Sequence, residues 1–309
     1  MALPHSVRIY EVGPRDGLQN EATPVSTETK LQYISLLTAA GLTEIEATSF
    51  VAPRAIPQLA DADALMPLLQ ERERVRYPVL VPNERGMDRA VAAGADALAV
   101  FTAVSDAFTQ ANIGMTIDES LVAFRPVLDR ATQLGWWKRA YVSTAFGCPF
   151  SGRVAVRSVV DVSLRLLDLG ADEICLGDTI GVGVPAQVHE LTDAVTSAGV
   201  PLDRLAYHFH DTRGTALANV VAGLEDGVSC FDSSTGGTGG CPYAPGAAGN
   251  LATEDLVYML DAIGIEHGVK LPRVLDAARF IATALGKDLN SKVGQAGGWD
   301  PETGSRTGV

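Results

Sequence analysis

The chain has 309 residues, of which 47% are hydrophobic and 20% are charged, as is typical of a folded globular protein. Its 24 basic and 37 acidic residues give a net charge of -13, which argues against nucleic acid or an anionic membrane as the main partner. The sequence contains no apolar run of the roughly 18 residues that a membrane span requires, and residues 1–8 lack the features of a secretory signal. We therefore expect a cytoplasmic protein.

Apolar, strand-like runs alternate with amphipathic, helix-like segments along the chain. The predicted strands are 7–12, 43–49, 76–81, 97–103, 138–145, 173–178, 204–210 and 229–234. The predicted helices are 27–40, 60–71, 84–94, 116–134, 157–169, 185–198, 215–227, 250–263 and 271–285. Eight strand-then-helix units predict an α/β fold, a (β/α)8 TIM barrel with a C-terminal helical extension. A doubly wound open sheet is the alternative, but no G-x-G-x-x-G motif follows the first strand.

We expect residues 1–293 to form this barrel domain, including its C-terminal helix, and the polar residues 294–309 to form a disordered tail. Three long segments follow predicted strands, at 49–60, 104–115 and 236–250. Active sites of such barrels lie at the C-terminal ends of the strands, so these segments are predicted to be functional loops.

Two histidines near the end of the seventh predicted strand are the first candidate functional residues. Alternate residues of a strand share a face, so His208 and His210 are predicted to point the same way. Asp16 follows the first strand and can reach the same end of the barrel. One carboxylate and two imidazoles suit a divalent cation with positions open for substrate, although packed core polar residues are the alternative for the histidines.

Ionisable residues at other strand ends extend this candidate site. Arg15 would be a fixed positive charge for an oxyanion, unless Pro-Arg-Asp-Gly is only a turn. Glu46, inside an apolar strand, is predicted to be either a proton-transfer group or a hydrogen-bond partner of Arg15, while Glu44 is expected to form a structural ion pair. Asp178 is a further carboxylate at a strand end, with an N-cap or loop-fixing role as the alternative.

The four cysteines, Cys148, Cys175, Cys230 and Cys241, contain no C-x-x-C pair, so neither a disulfide framework nor a zinc knuckle is indicated. Cys175 and Cys230 lie in strand-like runs and are expected to be buried. Both Cys148 and Cys241 follow strands, and the sequence alone does not choose between them as a reactive thiol. Asn250 is predicted either to cap the next helix or to offer a neutral oxygen to a metal.

Residues 7 to 293 closely resemble the 3-hydroxy-3-methylglutaryl-CoA lyases, members of a family of metal-dependent lyase and synthase barrels. The motifs that carry the resemblance are EVGPRDGLQN at 11–20, TSFV at 48–51, LGDTIGVG at 176–183, HFHDT at 208–212, GGCPYA at 239–244 and GNLATED at 249–255. One departure is Thr238, where the family commonly has an apolar residue, and it bears on the exact acyl group accepted.

The resemblance implies a role for each candidate residue. The matching ligands for Mg²⁺ or Mn²⁺ are Asp16, His208, His210 and Asn250. Arg15 matches the residue that steadies an enolate, Cys241 the loop thiol that shuttles a proton, and Glu46 and Asp178 the supporting acids. Gln19, Lys287 and Lys292 are candidate contacts for CoA, although exposed lysines are often only solvated.

The implied reaction is a retro-Claisen cleavage of the acyl-CoA substrate to acetyl-CoA and acetoacetate, in a homodimer. The group that first removes the hydroxyl proton is left open between Asp16, His208 and water on the metal. Two other functions compete with this one. A Claisen synthase of the isopropylmalate or homocitrate type shares the strand motifs, but such enzymes typically carry an extra C-terminal region. A non-catalytic barrel that binds metal or acyl-CoA leaves Arg15, Glu46 and Cys241 without a purpose.

Overall fold

The computed structural model of the protein describes residues 3–240, 249–299 and 306–307. Its centre is a parallel sheet with the strand order β2-β1-β9-β8-β7-β6-β5-β4-β3. The strands are β1 Arg8–Glu11, β2 Glu44–Ile45, β3 Thr48–Ser49, β4 Val79–Leu80, β5 Ala97–Ala103, β6 Trp137–Ser143, β7 Glu173–Asp178, β8 Leu205–Phe209 and β9 Cys230–Ser233.

The sheet closes into a barrel through its second predicted strand, which is interrupted and appears as β2 and β3. β2 pairs with β1, and β3 pairs with β4. Between them, the amide of Glu46 donates to Glu11 O at 2.8 Å on one side, and that of Ala47 donates to Pro78 O at 3.0 Å on the other. The interrupted segment is thus hydrogen-bonded on both sides, so the predicted eight-unit barrel is confirmed.

Helices surround the barrel at nearly all of the predicted places. They are α1 Thr27–Ala39, α2 Ala62–Leu65, α3 Glu84–Ala92, α4 Asp106–Ile113, α5 Ile117–Gln133, α6 Val156–Asp168, α7 Pro185–Ser197, α8 Ala216–Glu225, α9 Thr253–Ile263, α10 Leu271–Leu285 and α11 Lys292–Ala296. The predicted helix 60–71 is shorter, since α2 passes at Met66–Leu68 into a 3-10 turn that contains a proline. The predicted loop 104–115 contains α4, which the sequence analysis missed.

Local sequence signals account for several helix ends. The Ser26 hydroxyl accepts a hydrogen bond from the Thr29 amide at 3.2 Å and caps α1. Gly41, Gly94 and Gly170 follow α1, α3 and α6 with φ of +102°, +77° and +94°, a left-handed region that favours glycine. A serine before a helix and a glycine just past its end are thus the residues that set these boundaries.

The apolar core lies mainly between the strands and the helices, whereas the barrel interior is mixed. Tyr10, Tyr141, Cys175 and Cys230 form part of a separate interior cluster, which confirms that both strand cysteines are buried. Charged residues also fill this interior, with Arg139 completely buried among them. A charge in this position requires partners inside the barrel.

The C-terminal extension covers the end of the barrel at which the strands finish. The Asn290 amide donates to Gly236 O at 3.2 Å, and the Ser291 hydroxyl donates to Asp255 Oδ1 at 2.9 Å. α11 crosses the domain boundary expected at residue 293, and β10 Gly298–Trp299 pairs antiparallel with β11 Arg306–Thr307. Among the helices that the structure describes, none combines the length and apolarity needed to span a membrane.

Candidate active site

The segment after β1 forms a π-helical turn, Gly13–Gly17, at the mouth of the barrel. The Gly17 amide donates to Val12 O at 3.1 Å and closes this turn. A Cβ on Gly13 would lie 2.5 Å from Glu11 Oε1, and one on Gly17 would lie 2.4 Å from Thr238 Oγ1, so glycine is required at both positions. Pro-Arg-Asp-Gly is therefore a turn, and it is one that presents Arg15 and Asp16 at the site.

His208 and His210 face the same cavity, as their alternation predicts. Their ring centroids are 5.2 Å apart. One potential ligand atom from each of Asp16, His208 and His210 lies within 4.8 Å of the other two. The first and seventh units of the barrel thus meet at a group whose donor types suit a divalent cation.

Asn250 joins this group through backbone pairing beside β8. The Leu251 amide donates to Phe209 O at 3.0 Å, and the Asp211 amide donates to Gly249 O at 2.7 Å. The side-chain Nδ2 of Asn250 donates to Asp16 Oδ2 at 2.8 Å and to Thr238 O at 3.0 Å. The helix-cap alternative for Asn250 is wrong, because α9 begins at Thr253.

The remaining side-chain oxygen of Asn250 supports a metal at this place. Oδ1 is buried and accepts no hydrogen bond from any residue that the structure describes. An unpaired buried carbonyl is costly, and a cation would satisfy it. The four candidate ligands, Asp16, His208, His210 and Asn250, therefore fit a bound divalent ion in both position and chemistry.

The electrostatics of Asp16 and His210 favour the protonation states that bind metals. Burial opposes ionisation of Asp16, but the charge of Arg15 and the two histidines outweigh it and lower its pKa to about 2. Burial, together with His208, lowers the pKa of His210 to about 3. For His208 burial acts in the same direction, but a hydrogen bond to Asp232 raises its pKa overall. Asp16 is consequently ionised and His210 neutral at neutral pH.

Arg15 is buried beside this group and is fixed by Glu46. Its Nε and Nη2 lie 2.8 Å and 2.7 Å from Glu46 Oε2, and its Nη1 donates to Asp16 Oδ1 at 2.8 Å. The Tyr141 hydroxyl also donates to Glu46 Oε2 at 3.2 Å. Of the two roles predicted for Glu46, the structure shows that of a hydrogen-bond partner of Arg15.

The other two predicted acids have structural contacts. Glu44 accepts from Arg8 at 2.7 Å and from Arg76 at 2.6 Å, which confirms its structural ion pair. The two carboxylate oxygens of Asp178 accept from the amides of Val182 at 2.9 Å and Gly183 at 2.8 Å. Asp178 thereby fixes the loop after β7, as the alternative for this residue predicted, and its role as a supporting acid stays a prediction.

Of the two candidate reactive thiols, Cys148 lies in the described part of the structure. The Cys148 Sγ is buried, accepts from the amides of Phe150 and Ser151 at 3.4 Å each, and lies 3.2 Å from Ser105 Oγ. These contacts use the thiol to hold its own loop together. Cys241 lies outside the described residues, so its predicted role stays a prediction.

The candidate CoA contacts lie near the mouth of the barrel. Gln19 follows the π-helical turn, and its buried Oε1 has no hydrogen-bond partner within the described parts of the chain. The exposed side chain of Lys287 donates to Glu21 Oε1 at 2.7 Å, and Lys292 Nζ lies 3.6 Å from Asp211 Oδ2. These positions border the site, and contact with CoA stays a prediction for all three residues.

Thr238, the departure from the family pattern, is part of the framework beneath the loop. Its buried hydroxyl lies 2.6 Å from Ser234 Oγ and 3.2 Å from Thr235 O. Its carbonyl accepts from Asn250, as described above. The threonine hydroxyl therefore hydrogen-bonds within the chain, while the backbone carbonyl of the same residue contacts a candidate ligand.

Two charged residues inside the barrel were not predicted from the sequence. Asp232 in β9 lies 3.1 Å from His208 Nδ1 through Oδ2 and accepts from Arg139 Nη2 at 2.6 Å through Oδ1. Arg139 Nε also lies 3.1 Å from Glu173 Oε1. The available signal was an ionisable residue in the middle of an apolar strand, the same signal that selected Glu46.

Comparison with known proteins finds relatives that match nearly the whole chain. Residues 6–281 match the HMGL-like family. The mitochondrial hydroxymethylglutaryl-CoA lyase of Bos taurus is 50% identical over 95% of this chain and 90% of its own. The cytoplasmic 3-hydroxy-3-methylglutaryl-CoA lyase of Rattus norvegicus is 48% identical over 95% of this chain and 85% of its own.

Solved structures resemble the whole barrel. The hydroxymethylglutaryl-CoA lyase of Pseudomonas aeruginosa superposes with a TM-score of 0.93 and 46% identity, covering 96% of this chain and 98% of that one. An HMG-CoA lyase from Acinetobacter baumannii, in complex with coenzyme A and 3-methylmalate, gives a TM-score of 0.91 and 38% identity over 96% and 97%. With its fold and nearly its whole length matched, the chain belongs to the HMGL-like family.

Proposed function

We propose that this protein is a divalent-metal-dependent carbon–carbon lyase that cleaves 3-hydroxy-3-methylglutaryl-CoA, or a close branched 3-hydroxyacyl-CoA, to acetyl-CoA and acetoacetate. The observation that carries this proposal is the group of Asp16, His208 and His210, within 4.8 Å of one another at the barrel mouth. Arg15 lies beside it, in a chain that is 50% identical to a hydroxymethylglutaryl-CoA lyase over 95% of its length.

Asp16, His208, His210 and Asn250 would hold the metal. Two oxygen and two imidazole donors are compatible with Mg²⁺ or Mn²⁺, the ions that we propose. The unpaired Oδ1 of Asn250 supports this set. When bound, the ion supplies Lewis acidity that polarises the substrate's hydroxyl and carboxylate oxygens.

Arg15 would stabilise the charge that carbon–carbon cleavage produces. Loss of the hydroxyl proton lets the hydroxyl carbon become the ketone of acetoacetate, while the electron pair of the broken bond passes to the thioester enolate. The Arg15 guanidinium, which is held by Glu46, would donate hydrogen bonds to the enolate oxygen. A donor that is already oriented costs little reorganisation during the reaction.

Protonation of the enolate carbon completes the formation of acetyl-CoA. We assign this proton to the thiol of Cys241, on the basis of the sequence motif at 239–244. The hydrogen bonds of Cys148 within its own loop support the assignment, because they engage the competing thiol in a structural role.

The acyl-CoA itself needs positive groups in a chain of net charge -13. Lys287 and Lys292, exposed at the rim, are our candidates for its phosphates, with Gln19 as a polar contact nearer the site. The relatives include mitochondrial and cytoplasmic enzymes. A cytoplasmic location and a homodimer stay predictions for this protein.

A product assay tests the proposed function. The protein is incubated with 3-hydroxy-3-methylglutaryl-CoA and Mg²⁺ or Mn²⁺, and acetoacetate and acetyl-CoA are measured, with a chelator as the negative control. We expect equimolar products that require the metal. A second incubation with acetyl-CoA and an α-keto acid tests the synthase alternative. Condensation without cleavage would show that the protein is a synthase rather than a lyase. Inactivity in both assays would favour a non-catalytic barrel that binds metal or acyl-CoA.

A further inference from the structure

Asp232 lies between a candidate metal ligand and a buried arginine. Its Oδ2 is 3.1 Å from His208 Nδ1, and its Oδ1 accepts from Arg139 Nη2 at 2.6 Å. Asp232 and Arg139 are both buried almost completely. His208 and Asp232 are also register partners on the neighbouring strands β8 and β9, so the pairing of these strands brings the two side chains together.

This contact determines which nitrogen of His208 carries the proton. An ionised carboxylate only accepts hydrogen bonds, so Nδ1 of the neutral ring must be the donor. The proton on Nδ1 leaves Nε2 with its lone pair, and only a nitrogen with a free lone pair can bind a metal. The ring is held in addition by the edge of Tyr141, whose centroid is 6.2 Å away.

Arg139 holds the carboxylate in turn. Its guanidinium stacks on Tyr10, with 3.8 Å between Cζ and the ring centroid, and its Nε lies 3.1 Å from Glu173 Oε1. A planar group that stacks on a ring and donates to Asp232 has little freedom to rotate. Asp232 therefore has a permanent donor on one side and His208 on the other.

We propose that Asp232 is a positioning residue of the metal site: it fixes the ring of His208 in the tautomer that is protonated at Nδ1 and keeps Nε2 free for the cation. The inference rests on the proposed metal-dependent function. Carboxylates behind metal-binding histidines generally raise metal affinity by about 10- to 100-fold. The same factor is expected here.

The variant Asp232→Asn tests this idea with almost no change in shape. The Arg139 guanidinium can only donate hydrogen bonds, so in this variant it should bind the oxygen of the new side-chain amide. The NH₂ group of that amide then faces His208. That group donates to Nδ1, which must then be unprotonated, so the proton moves to Nε2. The expected result is a reversed tautomer of His208 and a 10- to 100-fold weaker binding of Mn²⁺.

Two measurements report these effects without any turnover. Nitrogen-15 NMR of histidine-labelled, metal-free protein gives the tautomer of each ring, and the sequence has five histidines. The signals of His208 are assigned by their loss in His208→Gln. Titration with Mn²⁺, followed by electron paramagnetic resonance of the free ion, gives the dissociation constant.

Glu173→Gln is the matched control, because Glu173 is a second buried acid beside Arg139 and lies one strand away from β8. We expect this variant to keep the Nδ1-protonated tautomer and to bind Mn²⁺ within about twofold of the wild type. If Mn²⁺ binding is weakened equally in both variants, Asp232 has only a general structural role and the proposal is overturned.

The wild-type spectrum tests the proposal even if Asp232→Asn does not fold. A neutral His208 ring that carries its proton on Nε2 in the metal-free wild type would overturn it directly. Failure of the proposed function would also give a different result from failure of the role of Asp232 alone. Wild-type protein that has the expected tautomer but neither binds Mn²⁺ nor cleaves the substrate would refute the metal-dependent function, and the role of Asp232 would be refuted with it.

Discussion

Arg15 places two of its nitrogens on a single oxygen of Glu46, Nε at 2.8 Å and Nη2 at 2.7 Å. Both side chains are buried, and the third nitrogen of the guanidinium donates to Asp16. Glu46 thus fixes both the charge and the direction of a group that lies next to a candidate metal ligand. The arrangement links the second predicted strand to the first at the mouth of the barrel.

Replacing Glu46 by Gln should reduce kcat by about tenfold or more, because Arg15 loses the charged acceptor that orients it. The dissociation constant for Mn²⁺ should change by less than about threefold, since Glu46 is not among the candidate ligands. Steady-state kinetics with the acyl-CoA substrate and a Mn²⁺ titration measure the two effects separately.

Glu44→Gln is the control for this experiment. Glu44 lies on the same interrupted strand, but it pairs with Arg8 and Arg76 away from the candidate ligands. Its replacement should lower the melting temperature and leave kcat unchanged. Full activity of Glu46→Gln, or an equal loss of kcat in Glu44→Gln, would contradict the orienting role.

Asn250 allows a test of the metal site by stability alone. In Asn250→Asp, the donor to Asp16 Oδ2 at 2.8 Å is replaced by a second carboxylate. Repulsion between the two charges should lower the melting temperature of the metal-free protein by several degrees, since about 1 kcal/mol corresponds to roughly 2–4 °C in a large domain. Added Mg²⁺ or Mn²⁺ should then raise it by more than in the wild type.

The control for this variant is Asn219→Asp. Asn219 is also buried and donates to Gly183 O at 3.0 Å, so its replacement removes a similar hydrogen bond elsewhere. It should destabilise the protein equally with and without metal in differential scanning fluorimetry. A metal response of Asn250→Asp no larger than that of Asn219→Asp would remove Asn250 from the ligand set.

The parts of the site that the sequence predicted depend on position along a single strand. Alternation places His208 and His210 on one face, and the end of β1 places Asp16 near them, so periodicity and the barrel geometry together were sufficient. The ion pairs of Glu44 follow from the cost of an unpaired charge in an apolar strand, and the burial of Cys175 follows from its small, apolar side chain.

The parts that the sequence did not predict depend on which segments meet in space. The sequence left Asn250 open between a helix cap and a metal ligand, and the pairing of its segment beside β8 brings it to the site. Asp232, which was not predicted, contacts His208 because β8 and β9 have a particular register. Neither register nor loop pairing is encoded in a local pattern. The break between β2 and β3 was not predicted for the same reason, because β2 pairs with β1 whereas β3 pairs with β4.

The two thiols that the sequence could not distinguish give a paired prediction. Cys241→Ser should lower kcat by about 100-fold or more, because a serine hydroxyl is a far weaker acid than a thiol, while Mn²⁺ binding is retained. Cys148→Ser should keep nearly normal activity, since a hydroxyl can replace the thiol in its hydrogen bonds to Phe150 and Ser151. The reverse pattern in steady-state kinetics would make Cys148 the proton donor.

Glu254 gives a prediction about stability and pH. Burial raises its pKa from 4.5 to about 8, even though its carboxylate accepts from the Gly236 amide at 2.9 Å. Between these two values the folded state keeps a proton that the unfolded chain releases, so the free energy of unfolding should fall as pH rises, by up to about 1.4 kcal/mol per unit. Glu254→Gln cannot ionise and should lose this slope in urea unfolding measured from pH 5 to pH 8, whereas the exposed Glu266→Gln should retain it. Parallel curves for the wild type and Glu254→Gln would show that Glu254 does not keep its proton in the folded state.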